Sequence, residues 1–148
     1  MPLTSFMPMA LAEAKSASTA GEVPVGAVVV RAGEVVAVAG NRVVRDADPT
    51  AHAEILALRQ ASAKLNTPQL LGCDMWVTLE PCAMCATAIS LARIQRLYIA
   101  AEDAKSGGVL HGAKIFTHQQ THHKPEVYDG IEAAAAQNLL KAFFATKR

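Results

Sequence analysis

Apolar and polar positions change period along this chain, and each change predicts an element. Pro8 to about Ala20 is rich in good helix formers, among them Met9, Leu11, Ala12, Ala14 and Lys15, although its apolar stripe is weak. Gly21 marks its end. Val23-Pro-Val-Gly-Ala-Val-Val-Val30 is a β-branched run and predicts a buried strand, with Pro24 at its start, where a missing N–H is tolerated. Ala32-Gly33 predicts a tight turn, and Glu34 to Asn41 the returning strand of a hairpin. Asn41 to Asp48 is polar and reads as a loop. Asp48-Pro49-Thr50 has the chemistry of a helix start, a capping side chain and then proline. The helix it opens runs to about Leu65, with Ile55, Leu58, Ala61 and Leu65 near one face. Met75 to Leu79 is a short strand running into Glu80-Pro81-Cys82. A helix from Cys82 to about Ala92 follows, and then a strand from Arg96 to Ala101. Val109 to His118 fits a short helix or irregular structure equally well. Glu126 to Tyr128 suggests a short last strand. Ile131 to about Lys147 predicts a closing alanine-rich helix with basic residues in its last turn. Strands alternating with helices after an opening hairpin argue for a three-layer α/β/α sandwich around a mixed sheet of about five strands.

Composition bounds this picture without changing it. The 148 residues suit one domain, expected to span 1–148, with a sizeable core. An apolar content of 51% with 18% charged residues fits a globular chain and excludes a disordered one. The net charge of +1 neither demands nor excludes a nucleic-acid partner. No apolar run approaches the ~18 residues of a membrane span, and no signal-like start is present. Three cysteines are an odd number, so a disulfide framework is not expected and a reducing cytoplasmic setting fits. Cys73 reads as a small buried apolar residue.

The chemistry concentrates in two short stretches, Thr50-Ala-His-Ala-Glu54 and Thr78-Leu-Glu-Pro-Cys-Ala-Met-Cys85. Cys82 and Cys85 are three apart and share one face of a helical turn. A helix N-terminus favours thiolates over thiols. Alone, a Cys-x-x-Cys pair is ambiguous: half of a structural zinc site, a redox pair, or two buried cysteines. His52 supplies a third ligand. Two thiolates and one imidazole fill three corners of a zinc tetrahedron and leave the fourth open to water, the mark of a catalytic site. Glu54 is then free to move protons. A second metal site among His111, His118, His122 and His123 is not expected, because adjacent His122 and His123 point in different directions in regular structure; loop packing or RNA contact fits them better.

His52-Ala-Glu54 with Pro81-Cys82-Ala-Met-Cys85 is the signature of zinc-dependent nucleobase deaminases. Longer phrases narrow the resemblance: Glu22-Val-Pro-Val-Gly-Ala-Val28, Asn41-Arg42, Asp48-Pro-Thr-Ala-His-Ala-Glu-Ile55, Asp103-Ala-Lys-Ser-Gly107 and Phe143-Phe144. Together they resemble the bacterial tRNA-specific adenosine deaminases of the cytidine deaminase-like superfamily, over about residues 8 to 148. The stretch His111 to Lys124 departs from that pattern.

The resemblance implies a cytidine deaminase-like fold, one zinc ion per subunit, a tRNA substrate and a homodimer with the active site near the subunit interface. It implies hydrolysis of adenosine to inosine at the wobble position, as in tRNA-Arg with an ACG anticodon. Glu54 would carry a proton from water to N1 of the base and then to the departing amine. Asn41 would hydrogen-bond the base, although as bare sequence it is equally a turn asparagine. Pro24, Val25 and Leu79 would wall the pocket, and the backbone of Ala53 and of Cys82 would support the base and the developing oxyanion. Asp103 would lie near a ribose and Lys105 near phosphate. By their position alone, Arg93, Arg96 and Lys105 follow the catalytic helix in sequence and would form a positive rim there. Phosphate contacts of that kind make affinity fall with salt. Phe143 and Phe144 would pack into the core, or one would reach substrate or partner. A zinc deaminase of a free base or nucleoside, such as guanine or cytosine, would share every ligand. A non-catalytic zinc module would not need Glu54.

Overall fold

The structure is a computed structural model that describes residues 4–147. Five strands form one mixed sheet in the order β2-β1-β3-β4-β5. β1 (Gly26–Arg31) and β2 (Glu34–Gly40) make the hairpin, turned at Ala32 and Gly33, both at positive φ. Their antiparallel register shifts between Val29 and Val30, a bulge that adds local twist. β1 also pairs antiparallel with β3 (Cys73–Leu79). β4 (Arg96–Ala101) and β5 (Glu126–Tyr128) then add in parallel. A parallel step needs a crossover, and α3 (Ala83–Leu91) supplies it between β3 and β4.

The β-branched and apolar run that reads as continuous in sequence divides between two faces. Ala27, Val29, Met75, Val77, Leu97 and Ile99 point to one side, where α2 (Ala53–Leu65) and α3 bring Ala57, Leu58, Ala61, Ala86 and Ile89. Val28, Val30, Trp76, Tyr98 and Ala100 point to the other, against α1 (Met7–Thr19) and α4 (Ala133–Ala145). A sheet buried on both faces needs no polar alternation, so the run carries no period of two. This is the expected three-layer sandwich. Small residues let the layers approach. A Cβ on Gly26 would collide with the Ala10 carbonyl of α1, so that strand start requires glycine.

Several boundaries differ from the sequence expectation, each for a local reason. β1 begins at Gly26 rather than Val23. Pro24 has no N–H, and the Val25 N–H turns back to the Val23 carbonyl at 2.8 Å instead of joining the sheet. α2 begins at Ala53 with His52 as its extended N-cap residue, so Asp48 does not cap it. The Asp48 carboxylate instead accepts from Thr50 N–H at 2.9 Å and from Thr50 Oγ1 at 2.7 Å. Cys82 is likewise the N-cap residue of α3 rather than its first helical residue. α4 starts at Ala133, after Glu132 at φ 56°, and ends at Ala145, leaving Lys147 beyond the helix rather than in its last turn. The undecided stretch is irregular apart from a 3-10 turn at Ile115–Thr117.

Candidate active site

Two helix starts converge at the end of the central strand β3. α2 presents His52 at its N-cap and Glu54 in its first turn. α3 presents Cys82 and, one turn on, Cys85. His52 Nδ1 lies 3.7 Å from Cys82 Sγ and 3.5 Å from Cys85 Sγ. All three ligand atoms fall within 4.8 Å of one another. Bonds of ~2.3 Å to sulfur and ~2.0 Å to nitrogen in a tetrahedron give edges of roughly 3.5–3.8 Å, so these residues fit a zinc ion. Among the described residues no other His, Cys, Asp and Glu group has that geometry.

The electrostatics ready one of the two thiols for such a site. A hydrogen bond from Cys85, and then one from His52, push the Cys82 thiol down to about 4 against its burial. The same bond raises Cys85, which keeps the proton. His52 is raised mainly by its hydrogen bond to Cys82. Glu54 is 4% exposed. Burial pushes its carboxyl up to about 7, aided by the Cys82 charge, so it can hold or release a proton near neutral pH.

A cavity of about 470 Å³ opens over the cluster. Of the residues expected to touch substrate, Val25, Asn41, Leu79 and Asp103 line it beside His52, Glu54 and Cys82. Pro24 is buried and does not line it. The Ala53 N–H is already used, donating to Asn41 Oδ1 at 2.7 Å. That bond leaves the Asn41 amide N–H groups as the donors for a ligand. Lys105 lies on an adjoining cleft with Leu140 and Phe144. Arg96 does not join a positive rim. It sits at the opposite end of the sheet, at the start of β4, with Asp74 at 3.7 Å and Glu126 at 3.1 Å. Arg93, at φ 66° after α3, borders a separate small pocket with Thr87 and His122. Phe143 packs inward and reaches the main cavity, with Lys147 Nζ 5.0 Å from its ring centre.

Sequence reasoning missed the walls. Glu22, Val43, Val44, Glu80 and Ser106 all line the cavity. Glu80 sits two residues before Cys82, and only its burial reveals its part. Its carboxylate accepts from the backbone N–H groups of Asp103, Val109, Leu110 and His111 at 2.9–3.2 Å. His111 Nδ1 lies 2.8 Å from Oε1, the oxygen that also accepts from Asp103 N–H. His118 and His123 reach backbone carbonyls of Ala113 and Ile94, so these three histidines pack loops.

An open three-ligand centre with a buried carboxylate beside it, on a mixed sheet between helix layers, defines a zinc-dependent deaminase. The family model of the cytidine and deoxycytidylate deaminase zinc-binding region matches residues 2–101. The chain is 49% identical to the tRNA-specific adenosine deaminase of Agrobacterium fabrum over 145 residues, 98% of this chain and 95% of that protein. It belongs to this deaminase family, and within it to the tRNA-specific adenosine deaminases. A solved structure from work on A-to-I editing by tRNA:A34 deaminases at the wobble position of transfer RNA superposes with a TM-score of 0.90 at 49% identity, covering 91% of this chain and 98% of that one. The guanine deaminase from Nitrosomonas europaea is more distant, with a TM-score of 0.82 at 26% identity over 98% of this chain and 87% of that one.

Proposed function

We propose that this protein hydrolyses adenosine to inosine at the wobble position of tRNA. The observation that carries the proposal is the His52, Cys82 and Cys85 cluster with buried Glu54, on the floor of a cavity walled by Asn41. His52, Cys82 and Cys85 would hold one zinc ion per subunit. Zinc in such a site lowers the pKa of water to ~7 and so supplies a nucleophile at neutral pH. Glu54 would take one proton from the attacking water and deliver it to purine N1. A C6–O bond forms and the C6–N bond breaks. Glu54 would then take the second proton from the new C6 hydroxyl and pass it to the departing amine, and the products are inosine and ammonia. Asn41, held through its Oδ1, donates its amide hydrogens to the base. Val25 and Leu79 exclude water around the ring. Pro24 and Ala53 act behind them, as packing and as the anchor of Asn41. Asp103 meets the ribose, and Lys105, on the adjoining cleft, meets phosphate of the flanking nucleotides.

tRNA-Arg with an ACG anticodon is the substrate we favour. A homodimer is supported by the outer side of α3, where Met84 and Leu91, seven apart, are 37% and 71% exposed. One sheet serving both cores supports a single deaminase domain over 1–148. Free cysteines and a tRNA substrate suit the cytoplasm. Among the described residues no helix is long and apolar enough to cross a membrane.

Purified zinc-loaded protein incubated with tRNA-Arg bearing ACG tests the proposal. Inosine at the first anticodon base is expected. Guanine runs in parallel, because of the similarity to a guanine deaminase. Xanthine from guanine without inosine from tRNA would replace this reading with the free-base one.

A further inference from the structure

Glu22 sits in the turn between α1 and β1 and is 1% exposed. A carboxylate so removed from water needs donors, or its lost hydration goes uncompensated. Glu22 finds them in one loop. Its Oε1 accepts from Val44 N–H at 3.0 Å and its Oε2 from Arg45 N–H at 2.8 Å. Arg45 Nε lies 3.4 Å from the same Oε2. Burial alone would raise the carboxyl; the bonds from Arg45 and Val44 outweigh it and hold the group below its usual range.

The network continues inward. Arg45 Nη2 donates to the Asn41 carbonyl at 3.1 Å. The Asn41 N–H donates to the Val25 carbonyl at 3.2 Å, and its Oδ1 takes the Ala53 N–H beside His52. Asn41 is thus tied at three points, one of them through Glu22 and Arg45. The loop has little apolar burial to hold it, since Val44 is 71% exposed at the cavity mouth. Polar bonds rather than packing set its position.

We propose that Glu22 is a positioning residue for the substrate nucleotide, holding the Asn41–Arg45 wall so that Asn41 and the Val43–Val44 rim meet the base in one geometry. The proposal rests on the adenosine deaminase reading above. Glu22→Gln is the test. It keeps the side-chain shape but turns an amide N–H₂ toward one of the loop N–H groups. Loss of one charge-assisted bond predicts a fall of about tenfold in kcat/KM for tRNA, carried mainly by KM. Zinc content should stay at the wild-type level, since Glu22 touches no ligand. Arg45→Gln keeps both backbone bonds and should lose less; the double variant should be no worse than Glu22→Gln alone. Kinetics unchanged from wild type would overturn the proposal. So would a loss confined to kcat that tracks falling zinc or folded fraction, which would mark a purely structural role. Wild-type enzyme alongside separates the readings. No inosine from the wild type removes the adenosine assignment and this proposal with it; normal wild-type turnover with an unaffected variant removes this proposal alone.

Discussion

Glu80→Gln isolates one carboxylate that holds a whole wall of the site. The Glu80 side chain has no exposed surface, and five donors converge on it. Oε2 takes Val109, Leu110 and His111 N–H; Oε1 takes Asp103 N–H and the His111 ring. Glutamine can keep its oxygen at the three-donor position. Its amide then faces Asp103 N–H and the ring, and the ring can accept by changing tautomer. One buried backbone N–H is left without an acceptor. A lost bond to a charged group costs roughly 1.5–3 kcal/mol. At about 2 kcal/mol the melting temperature should fall by about 4–8 °C for a chain of this size. Asp103 and Ser106 lie on the freed segment and line the cavity, so KM for tRNA should rise while zinc stays bound. Circular dichroism melts of zinc-loaded protein, paired with initial rates on tRNA, measure both. A variant with wild-type melting and wild-type KM would refute the reasoning, because it would show that the five bonds hold nothing in place.

Glu54→Ala should retain zinc by metal analysis and lose about 10²–10⁴-fold in ammonia release, the usual share of general acid–base catalysis; near-normal turnover would end its assignment as proton carrier. Gly108→Ala should displace the same wall, since its Cβ would stand 2.5 Å from Ala83 N and 2.8 Å from Cys82 C, both rigid backbone. A cost of roughly 1–3 kcal/mol and lower zinc occupancy are expected, read by urea unfolding and metal content. Glu22 and Glu80 are both ionised with pKa values below the usual 4.5. Their contribution to stability is therefore complete above that value and is lost as pH falls through the lowered folded-state values. The double glutamine variant should be less stable at neutral pH and lose less on acidification. Parallel stability curves against pH for the two proteins would contradict this.

The elements were legible in the sequence wherever a run of residues had a single period. β4 and β5 fall where expected, α1 nearly so, and α2 at its C-terminal end. The misplaced boundaries lie where local chemistry had two uses. Asp48 suits a helix cap and a loop turn equally, and only the tertiary position of His52 decides between them. The start of β1 looked β-branched throughout, but pairing with β2 and β3 is available only from Gly26 on. Arg96 looked like an RNA contact because it follows the catalytic helix in sequence. Its parallel strand carries it to the far end of the sheet.

His52, Cys82, Cys85 and Glu54 were singled out by sequence alone, and the fold brings them together. Each half of that site lies within one helical turn, so spacing fixes which side chains share a face. The walls are a different matter. Glu22 meets Arg45 across 23 residues, and Glu80 meets His111 across 31. A glutamate carries no mark of whether it will be solvated or buried beneath a loop. That depends on which segments the sheet order brings together, and only the folded chain decides it.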